Sequence, residues 1–363
     1  MKLCFIAPKA YPVFNPKVKA TFGGAEVQLT LLSKEIAKDE NLNINFMVAD
    51  YGQKDIETIQ NVNIWKSLNF KQNVVKQVFN FFKIFNKIDA DIYVQRTLTP
   101  QSGLIALYCK IKRKKFIYMV ASDREVDKKK NYNSFLSRYL SEKTFKIADK
   151  ICVQNNFQYN SIYKNFNVKT KKIVILKKGL IINKLVTSKK MYDGIWVGRC
   201  EKLKNVELFF RLAEQNKNRK FICICPKATN KEKYFNKILN KSKKIKNLKF
   251  INFCQQKEIY SIMKQSKVFI FTSEYEGDWP MTVLEATSCG IPIISYKLNY
   301  DYLIDKYEGG VLCNSNFNVF NEEFNSLLKN PFKLKEKSQN AYKYAKDNHN
   351  IKINAKTFIR IIT

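Results

Sequence analysis

Short apolar runs alternate with longer stretches of helical periodicity along the whole chain. In the first half, runs of strand length and composition occupy residues 2–7, 44–49, 91–95, 115–121, 150–153 and 172–176. The alternation restarts after residue 179, with runs at 193–197, 220–225, 249–253, 268–272, 291–295 and 310–313. Strands that alternate with helices are typical of parallel sheets covered by helices on both faces. The pattern therefore predicts an α/β protein with two Rossmann-like, doubly wound domains.

The restart of the alternation also predicts the domain boundaries. We expect an N-terminal domain over residues 1–180 and a C-terminal domain over 181–345, with the linker at 177–191. From residue 321 onward only helical signals remain, and residues 346–363 are expected to form a C-terminal helix that packs back on the N-terminal domain. A cleft between two such domains is the default position for a ligand.

Charge is the first property of the composition that bears on partners. The chain of 363 residues has a formal net charge of +34 at pH 7, which attracts nucleic acids, anionic lipids and phosphorylated small molecules. Lysine, asparagine and isoleucine are abundant throughout, so a general compositional bias is an equally good explanation of the charge. The sequence has no arginine-rich arm, RNP-like aromatic motif or zinc finger, and we therefore expect no nucleic acid partner.

The cysteines and the apolar runs predict a cytoplasmic protein without a metal site. Nine cysteines form no C-x-x-C pair, and His349 is the single histidine, so the usual ligands of zinc are missing. The cysteines lie mostly in apolar runs and are interpreted as reduced core residues, whereas His349 in the polar tail is expected on the surface. No apolar run has the length of a membrane span, and the run at 2–7 is too short for a signal peptide.

The first polar element with possible chemistry is a glycine pair. Gly23 and Gly24 stand between the first strand and a segment of helical periodicity. Paired glycines in this position let backbone N–H groups approach a phosphate at the positive end of a helix. Many α/β proteins have the same turn for packing alone, so the pair does not decide between phosphate binding and packing.

The second element follows the first strand of the C-terminal half. That strand ends at Gly198 and Arg199, and Lys204 stands at the start of the next helical segment. An arginine supplies a planar fork for phosphate oxygens and a lysine supplies a point charge, so the spacing suits a diphosphate. In a chain this basic, two solvated cations are the simpler interpretation unless another element supports the first.

The third element supplies that support. The buried run at 268–272 leads into a loop with glycine and proline and then into a helical segment that carries Glu285 in its early turns. A carboxylate in this position can accept hydrogen bonds from both hydroxyls of a ribose. The N–H groups of the loop and of the helix N-terminus can face a diphosphate.

These elements resemble those of glycosyltransferase family 4, a family of GT-B fold. Its members carry a G-G-x-E turn, a V-G-R-x(4)-K element and an E-G-x-P-x(3)-L-E-A stretch, which correspond to residues 23–26, 197–204 and 276–286. Residues 148–155 and 175–179 are also similar to the family. The resemblance spans nearly the whole chain in the correct order. It implies the GT-B fold, in which two Rossmann-like domains face each other across a cleft, with C-terminal helices.

The resemblance also implies a function. The chain is expected to be a retaining glycosyltransferase that moves a hexose-type sugar from a nucleotide-sugar to a saccharide or lipid-linked acceptor, in the assembly of surface polysaccharide or glycolipid. The donor would bind mainly to the second domain and the acceptor to the first. No divalent metal and no cofactor are expected, because the nucleotide-sugar is a substrate. Retention would follow from same-face attack, with the leaving diphosphate accepting the proton of the acceptor.

Roles of single residues are carried over from the family motifs. Arg199 and Lys204 are assigned to the diphosphate, and electrostatic stabilisation of this leaving group is the main catalytic contribution. Glu285 is assigned to the ribose and Glu276 to the donor sugar. The predicted donor site further contains Gly23, Gly24, Gly198, Gly277, Trp279, Pro280, Met281 and Thr282.

The sequence departs from the family pattern at two places. Eight residues separate Glu276 from Glu285, one more than in the family, so Asp278 or Trp279 is interpreted as an insertion in the loop that faces the sugar. The family commonly has a histidine after the strand at 116–121, where this chain has Ser122 and Asp123. Asp123 is therefore the candidate for the contact with a sugar hydroxyl. After the run at 249–253, the candidates for contact with the nucleotide base are Cys254 and Gln255.

Two other functions use the same fold and remain alternatives. A GT-B nucleotide-sugar epimerase needs acid and base carboxylates and usually a histidine near the sugar, and the missing histidine argues against it. A catalytically inactive protein that binds sugar nucleotides as the partner of another transferase is compatible with both departures. Slow hydrolysis of the donor without acceptor would identify an enzyme.

A helical segment of the first half suggests where the protein works. Residues 73–88 carry an apolar face that is wider than one core contact needs, and Lys76, Lys83 and Lys87 line another side. Residues 110–115 and 128–130 add cationic clusters. One interpretation is a broad core helix with solvated lysines. The other is a peripheral surface at the inner face of an anionic membrane, with a lipid-linked acceptor.

Overall fold

The computed structural model describes residues 1–127, 135–185, 188–228 and 230–363, so the lysines at 128–130 lie outside the described residues. The chain divides into two compact units. The first unit comprises Met1–Gly179 and Ile351–Thr363, and the second comprises Leu180–Asn350. The last boundary falls after residue 350 rather than at 346, because Pro331–His349 forms one uninterrupted helix of the second unit.

The first unit is built on an eight-stranded sheet. Its strands are β1 (Lys2–Ile6), β2 (Asn43–Val48), β3 (Ile56–Ile59), β4 (Val62–Lys66), β5 (Ile92–Arg96), β6 (Lys115–Met119), β7 (Lys150–Val153) and β8 (Ile173–Ile175). The spatial order is β3-β4-β2-β1-β5-β6-β7-β8, and every neighbouring pair is parallel except β3 and β4. The helices that follow these strands are α1 (Tyr11–Phe14), α2 (Gly24–Ile36), α3 (Val74–Ile88), α4 (Pro100–Ile111), α5 (Phe135–Ile147) and α6 (Asn156–Phe166).

The second unit is built on a six-stranded, fully parallel sheet. Its strands are β9 (Tyr192–Val197), β10 (Phe221–Ile224), β11 (Leu248–Ile251), β12 (Ser266–Phe271), β13 (Ile293–Ser295) and β14 (Gly310–Leu312), in the order β11-β10-β9-β12-β13-β14. Its helices are α7 (Val206–Gln215), α8 (Glu232–Ser242), α9 (Gln256–Lys264), α10 (Met281–Ser288), α11 (Phe317–Lys329) and α12 (Pro331–His349). The last helix, α13 (Ile351–Ile362), belongs to the first unit. The predicted pair of Rossmann-like α/β domains is confirmed. Among the described helices, none combines the length and the apolar character that a membrane span requires.

Packing of α13 explains how the end of the chain joins the first unit. Phe358 is fully buried, and its ring centroid lies 6.2 Å from that of Phe5 in β1. Burial of such a side chain stabilises the fold by about 1.5–3 kcal/mol. At the start of α13, Ile351 packs so closely on Gly179 that a Cβ on the glycine would lie 2.3 Å from the isoleucine Cδ1. The glycine is therefore required by close approach at this junction.

Both sheets contain a point where the order of the strands reverses. In the first unit β1 lies between β2 and β5, and in the second unit β9 lies between β10 and β12. The connections that leave β1 and β5, or β9 and β12, consequently turn to opposite sides. A crevice forms between them at the carboxyl ends of the strands, and this is where open α/β sheets bind ligands.

Two features differ from the sequence predictions. Strands β3 and β4 form an antiparallel hairpin that was not predicted, joined by Gln60 and Asn61, which both have positive φ (51° and 61°) as a tight hairpin turn requires. The expectation that His349 lies on the surface is wrong. Its side chain is buried, and its Nε2 lies 2.9 Å from the hydroxyl of Tyr344 and 3.7 Å from Oδ2 of Asp301.

Candidate functional site

Two loops meet at the carboxyl ends of β9 and β12 in the second unit. One connects β9 to α7 and contains a 3-10 turn at Lys202–Lys204, and the other connects β12 to α10. They flank the point where the strand order of this sheet reverses. The second and third polar elements of the sequence are therefore brought to the position where such sheets bind ligands.

Hydrogen bonds tie the two loops together. The N–H of Glu274 donates to the carbonyl of Leu203 at 2.8 Å, and the hydroxyl of Thr272 donates to the carbonyl of Lys204 at 2.8 Å. The same hydroxyl accepts a bond of 2.9 Å from Nε1 of Trp196, which is buried beneath the loops. These bonds hold the backbone of Lys204 in a fixed place beside the loop that follows β12.

Lys204 and Glu276 form an ion pair across the two loops, between Nζ and Oε1. The side chains are only 18% and 16% exposed, so the pair is shielded from most of the solvent. Tyr300 donates from its hydroxyl to the backbone carbonyl of Glu276 at 2.6 Å and fixes the loop from the other side. The arrangement presents one lysine whose charge is balanced by an internal carboxylate. An incoming anion can take over the place of that carboxylate.

Arg199 extends the cationic surface of this site. Its side chain is 68% exposed, and its Nη2 lies 3.2 Å from Oε1 of Glu201. Gly198, which precedes it, packs over the ring of Trp196, where an added Cβ would approach the indole to 2.9 Å. The glycine therefore lets the backbone pass close to the core at the end of β9. Of the predicted diphosphate ligands, Arg199 is open to solvent and Lys204 is held in the ion pair.

The loop after β12 leads into α10. Residues Gly277, Pro280, Met281 and Thr282 are partly exposed, and the residue before α10 is a proline, whose side chain makes no cap hydrogen bond. Glu285, five residues into the helix, is 3% exposed. Its charge also raises the pKa of Tyr260, although burial of that phenol is the larger cause. The carboxylate is thus buried in the second half of α10, near Tyr260 of α9.

Trp279 occupies a different environment from the one predicted. It is fully buried, its ring packs against Phe271 and Tyr300, and its Nε1 donates to the carbonyl of Tyr300 at 2.5 Å. A side chain without exposed surface cannot contact a bound nucleotide-sugar. The prediction that the Trp279 side chain contacts the donor is therefore corrected, because this side chain packs in the core of the second unit.

The two candidates for contact with the base lie farther along the sheet. Cys254 and Gln255 follow β11, which is separated from β9 by β10. Gln255 precedes α9, and its N–H donates to Oε2 of Glu258 at 2.8 Å. Burial, together with the neighbouring Glu258, raises the pKa of the Cys254 thiol to about 11. Neither residue is adjacent to the Lys204 ion pair, and their contact with a base stays a prediction.

Three predicted residues belong to the first unit. Gly23 and Gly24 are exposed at the start of α2, where Oε2 of Glu26 accepts a hydrogen bond of 2.8 Å from the N–H of Gly23. Asp123 follows β6, is half-buried, and accepts a bond of 2.8 Å from Nε2 of Gln158. Their predicted contacts with donor phosphates and sugar stay predictions.

A pocket in the first unit was not predicted. It has a volume of about 380 Å³ and lies where the carboxyl ends of β1 and β5 meet α2, α3 and α4. Arg96, at the end of β5, lines this pocket and is 7% exposed. A charged residue at the end of an apolar strand is the sequence signal that could have revealed it.

Beside the pocket, Glu125 is a buried carboxylate. Its oxygens accept hydrogen bonds from the hydroxyl of Tyr118 at 2.7 Å, from the N–H of Ala121 at 2.9 Å and from the N–H of Leu98 at 3.2 Å. Burial raises the pKa of Glu125, although these bonds and the charge of Arg96 act in the opposite direction. The carboxylate fixes the loops that follow β5 and β6. Among the described residues, no group of three or more His, Cys, Asp or Glu side chains is arranged to hold a metal ion.

A family model matches nearly all of the second unit, and one relative aligns with nearly the whole chain. Residues 178–348 match the family model of glycosyl transferases group 1. An uncharacterized glycosyltransferase of Methanocaldococcus jannaschii is 26% identical over 378 aligned positions, which cover 93% of this chain and 94% of that protein.

Solved structures resemble the whole chain. Sucrose-phosphate synthase from Thermosynechococcus elongatus superposes with a TM-score of 0.79 at 12% identity, covering 100% of this chain and 98% of the other. HepE from Anabaena, solved in complex with UDP-glucose, superposes with a TM-score of 0.77 at 13% identity, covering 100% and 99%. At such low identity the structures establish the fold, and the predicted GT-B fold is confirmed. The chain is a glycosyltransferase of GT-B fold, and its residues 178–348 are similar to the glycosyl transferases of group 1.

Proposed function

We propose that the chain is a retaining hexosyltransferase that uses a nucleotide-sugar donor and a saccharide or lipid-linked acceptor, in the assembly of surface polysaccharide or glycolipid. The observation that carries the proposal is the ion pair of Lys204 with Glu276 at the carboxyl ends of β9 and β12. A shielded lysine with an exchangeable counter-ion suits a ligand that brings its own negative charge. A nucleoside diphosphate sugar is such a ligand.

Donor binding is expected to replace one anion by another. The diphosphate takes the position of the Glu276 carboxylate beside Lys204, and the exposed Arg199 approaches from the surface. The N-terminus of α10 adds the positive end of its dipole. Glu276, released from the lysine, is then available to accept hydrogen bonds from the sugar, and Glu285 of α10 is assigned to the ribose.

These charges also define the chemistry. The bond between the anomeric carbon and the diphosphate oxygen breaks while the acceptor oxygen attacks the same face of the sugar. The proton of the acceptor hydroxyl goes to the departing diphosphate oxygen. Negative charge on the leaving group grows in the transition state, where Arg199 and Lys204 stabilise it. Because these cations are part of the chain, the proposed reaction requires no divalent metal.

A nucleotide screen tests the proposal at the level of binding. Each nucleoside diphosphate and nucleotide-sugar is added in a thermal-shift experiment, since a ligand of the native state raises the unfolding temperature. Uridine compounds come first, because the solved HepE structure of the same fold contains UDP-glucose. If no nucleotide in the panel shifts the unfolding temperature, the donor proposal is wrong.

Two matched lysines test the role of the ion pair in the reaction. Lys202 and Lys204 occupy the same 3-10 turn, but Lys202 is exposed and Lys204 is shielded. Lys204→Ala is expected to lower kcat by about 10²–10³, the usual cost of removing one donor to a developing anion. Lys202→Ala is expected to leave kcat nearly unchanged. Equal loss in both variants, or an effect on KM alone, would contradict leaving-group stabilisation by Lys204. Slow donor hydrolysis by the wild type without acceptor would also exclude an inactive binding partner.

A further inference from the structure

The pocket of the first unit combines an apolar wall with a charged end. Its apolar wall includes Phe70, Val74, Val78, Phe82 and Leu104, from α3, the segment before it, and α4. The strand ends and the start of α2 contribute polar members, among them Lys9, Glu26 and Arg96. The volume of about 380 Å³ lies within the range of small-molecule sites. Such sites are mostly apolar with a few polar groups that orient the ligand.

The charged end favours an anion. Arg96 is 7% exposed and borders the pocket, with Glu125 behind it as a partial counter-charge. Lys9 is exposed and adds a second cation. Glu26 is the carboxylate of the lining, and its Oε2 is engaged by the N–H of Gly23 at 2.8 Å. Thr97, which follows the arginine, has a φ of 82°, a conformation that a β-branched residue adopts at a cost.

The apolar wall continues to the surface on α3. Val74 and Val78 line the pocket, although they are 72% and 38% exposed. The opening is therefore bordered by apolar side chains that no described part of the chain covers. A helix of a partner protein, about 10–12 Å across, is too wide for a cavity of this size. A free saccharide would leave most of its hydroxyls facing apolar groups, which is unfavourable.

We propose that this pocket receives the hydrocarbon chain of the acceptor, and that the acceptor is an anionic amphiphile with a phosphate-type group near Lys9 and Arg96. The inference rests on the proposed glycosyl transfer and narrows its acceptor to a lipid-linked one. The apolar chain lies against Val74, Val78 and Phe82, while the anionic group remains at the strand ends. The position agrees with the place where the strand order of this sheet reverses.

Chain length is the most direct probe of the proposal. Butyl, hexyl and octyl phosphate are titrated as monomers into the full-length protein by calorimetry. Each buried methylene contributes about 0.8 kcal/mol, which is about fourfold in affinity. The wild type is therefore expected to bind octyl phosphate with one site per chain and much more tightly than butyl phosphate. Octanol, which has the chain without the charge, is expected to bind more weakly than octyl phosphate.

Two valines of α3 provide a matched pair of variants. Val78 lines the pocket, whereas Val75 is 79% exposed and is not part of the lining. Val78→Asp is expected to weaken octyl phosphate binding about tenfold or more. The carboxylate would lose hydration beside the hydrocarbon chain, and its charge would repel the phosphate. Val75→Asp adds the same charge to the same helix and is expected to retain the chain-length dependence. Thermal unfolding without ligand checks that both variants are folded.

The outcomes separate this inference from the proposed function. If affinity does not depend on chain length in the wild type, or if both variants lose it equally, the pocket is not the site of the chain. Nucleotide-dependent thermal shifts are recorded on the same samples, because they report only the donor. Nucleotide binding without a chain-length effect would overturn the acceptor inference and leave the donor proposal standing. A chain-length effect without any nucleotide-dependent thermal shift would overturn the donor proposal and leave the amphiphile pocket standing.

Discussion

Glu276 is assigned two roles, as the counter-ion of Lys204 without donor and as a ligand of the donor sugar. The two roles predict opposite effects for Glu276→Gln. Affinity for a nucleoside diphosphate without sugar is expected to rise severalfold, because the lysine loses the carboxylate that competes with the phosphate. Turnover of the nucleotide-sugar is expected to fall, because the sugar loses an ionic acceptor. Calorimetry and initial rates measure the two quantities separately. A loss of diphosphate affinity would show that the carboxylate does not compete for Lys204.

The buried carboxyl of Glu125 is expected to make the free energy of unfolding depend on pH. Because burial raises the pKa of this carboxyl, the folded state binds its proton more tightly than the unfolded state does. Its contribution to the free energy of unfolding is therefore greatest in acid and decreases as pH rises from about 4 through the raised pKa. Glu125→Gln places an amide where three donors converge and is expected to cost about 1–3 kcal/mol at acid pH.

The comparison is made by chemical denaturation of both proteins between pH 4 and pH 7. The difference in free energy of unfolding isolates Glu125 from the large net charge that both chains share. The advantage of the wild type is expected to shrink as pH rises. An advantage that grows with pH would mean that Arg96 and the hydrogen bonds favour the ionised form more than burial opposes it.

Lys204, Glu276 and Trp279 differ in how much of their role could be predicted from the sequence. The motif positions of Lys204 and Glu276 could be predicted from residue types and spacing. Their pairing depends on loop hydrogen bonds that link residues about 70 positions apart, and no local pattern encodes it. Burial of Trp279 is likewise a property of the packed unit, and the sequence therefore predicts a ligand contact for a residue that lies in the core.

At the scale of elements, α3 exposes an apolar surface apart from the pocket. Val75 and Phe79, one turn apart, are 79% and 69% exposed and are not part of the pocket lining. Lys76 and Lys83 are exposed on the same helix. Basic residues near an anionic bilayer contribute about 1 kcal/mol each, and inserted apolar side chains add to this. The surface therefore fits the predicted peripheral contact with an anionic membrane.

Flotation with vesicles of phosphatidylglycerol and phosphatidylcholine tests this contact. Binding at low salt is expected to decrease steeply as salt rises, and Phe79→Ser is expected to weaken it about tenfold. Phe332→Ser is the control, because Phe332 is 86% exposed but lies in the second unit. Neutralising Lys112 and Arg113 is expected to weaken binding as well, whereas Lys114 is already paired with Asp89 at 2.9 Å. Absence of binding to anionic vesicles at low salt would refute the membrane contact.

Elements of regular period were predicted well, and short irregular ones were not. The long parallel strands stand out because they are apolar along their whole length and are followed by helical periodicity. The β3–β4 hairpin lies at the edge of the sheet, where alternation is interrupted by polar residues and the turn is Gln60-Asn61 rather than the usual Asn-Gly. The weaker signal of such an edge hairpin explains why it was missed.

At the scale of the whole molecule, each unit places its charged residues where its own strand order reverses. In the second unit these are Arg199, Lys204 and Glu276, and in the first unit Arg96 borders the pocket. The doubly wound topology could be predicted from the alternation of the sequence, and with it the edge of the sheet that binds ligands. The apolar pocket could not be predicted in the same way, because its lining comes from four separated stretches of the chain.

The stereochemistry of the product tests the proposed reaction as a whole. An α-linked donor is expected to give an α-linked product, because the acceptor attacks the face from which the diphosphate departs. Activity is expected to survive EDTA, since Arg199, Lys204 and the start of α10 supply the positive charge that a metal supplies elsewhere. The anomeric configuration is read by NMR of the purified product, and the rate is measured with and without chelator. A β-linked product would exclude same-face attack. If EDTA abolishes activity and added Mg²⁺ or Mn²⁺ restores it, Arg199, Lys204 and the start of α10 do not stabilise the leaving group on their own.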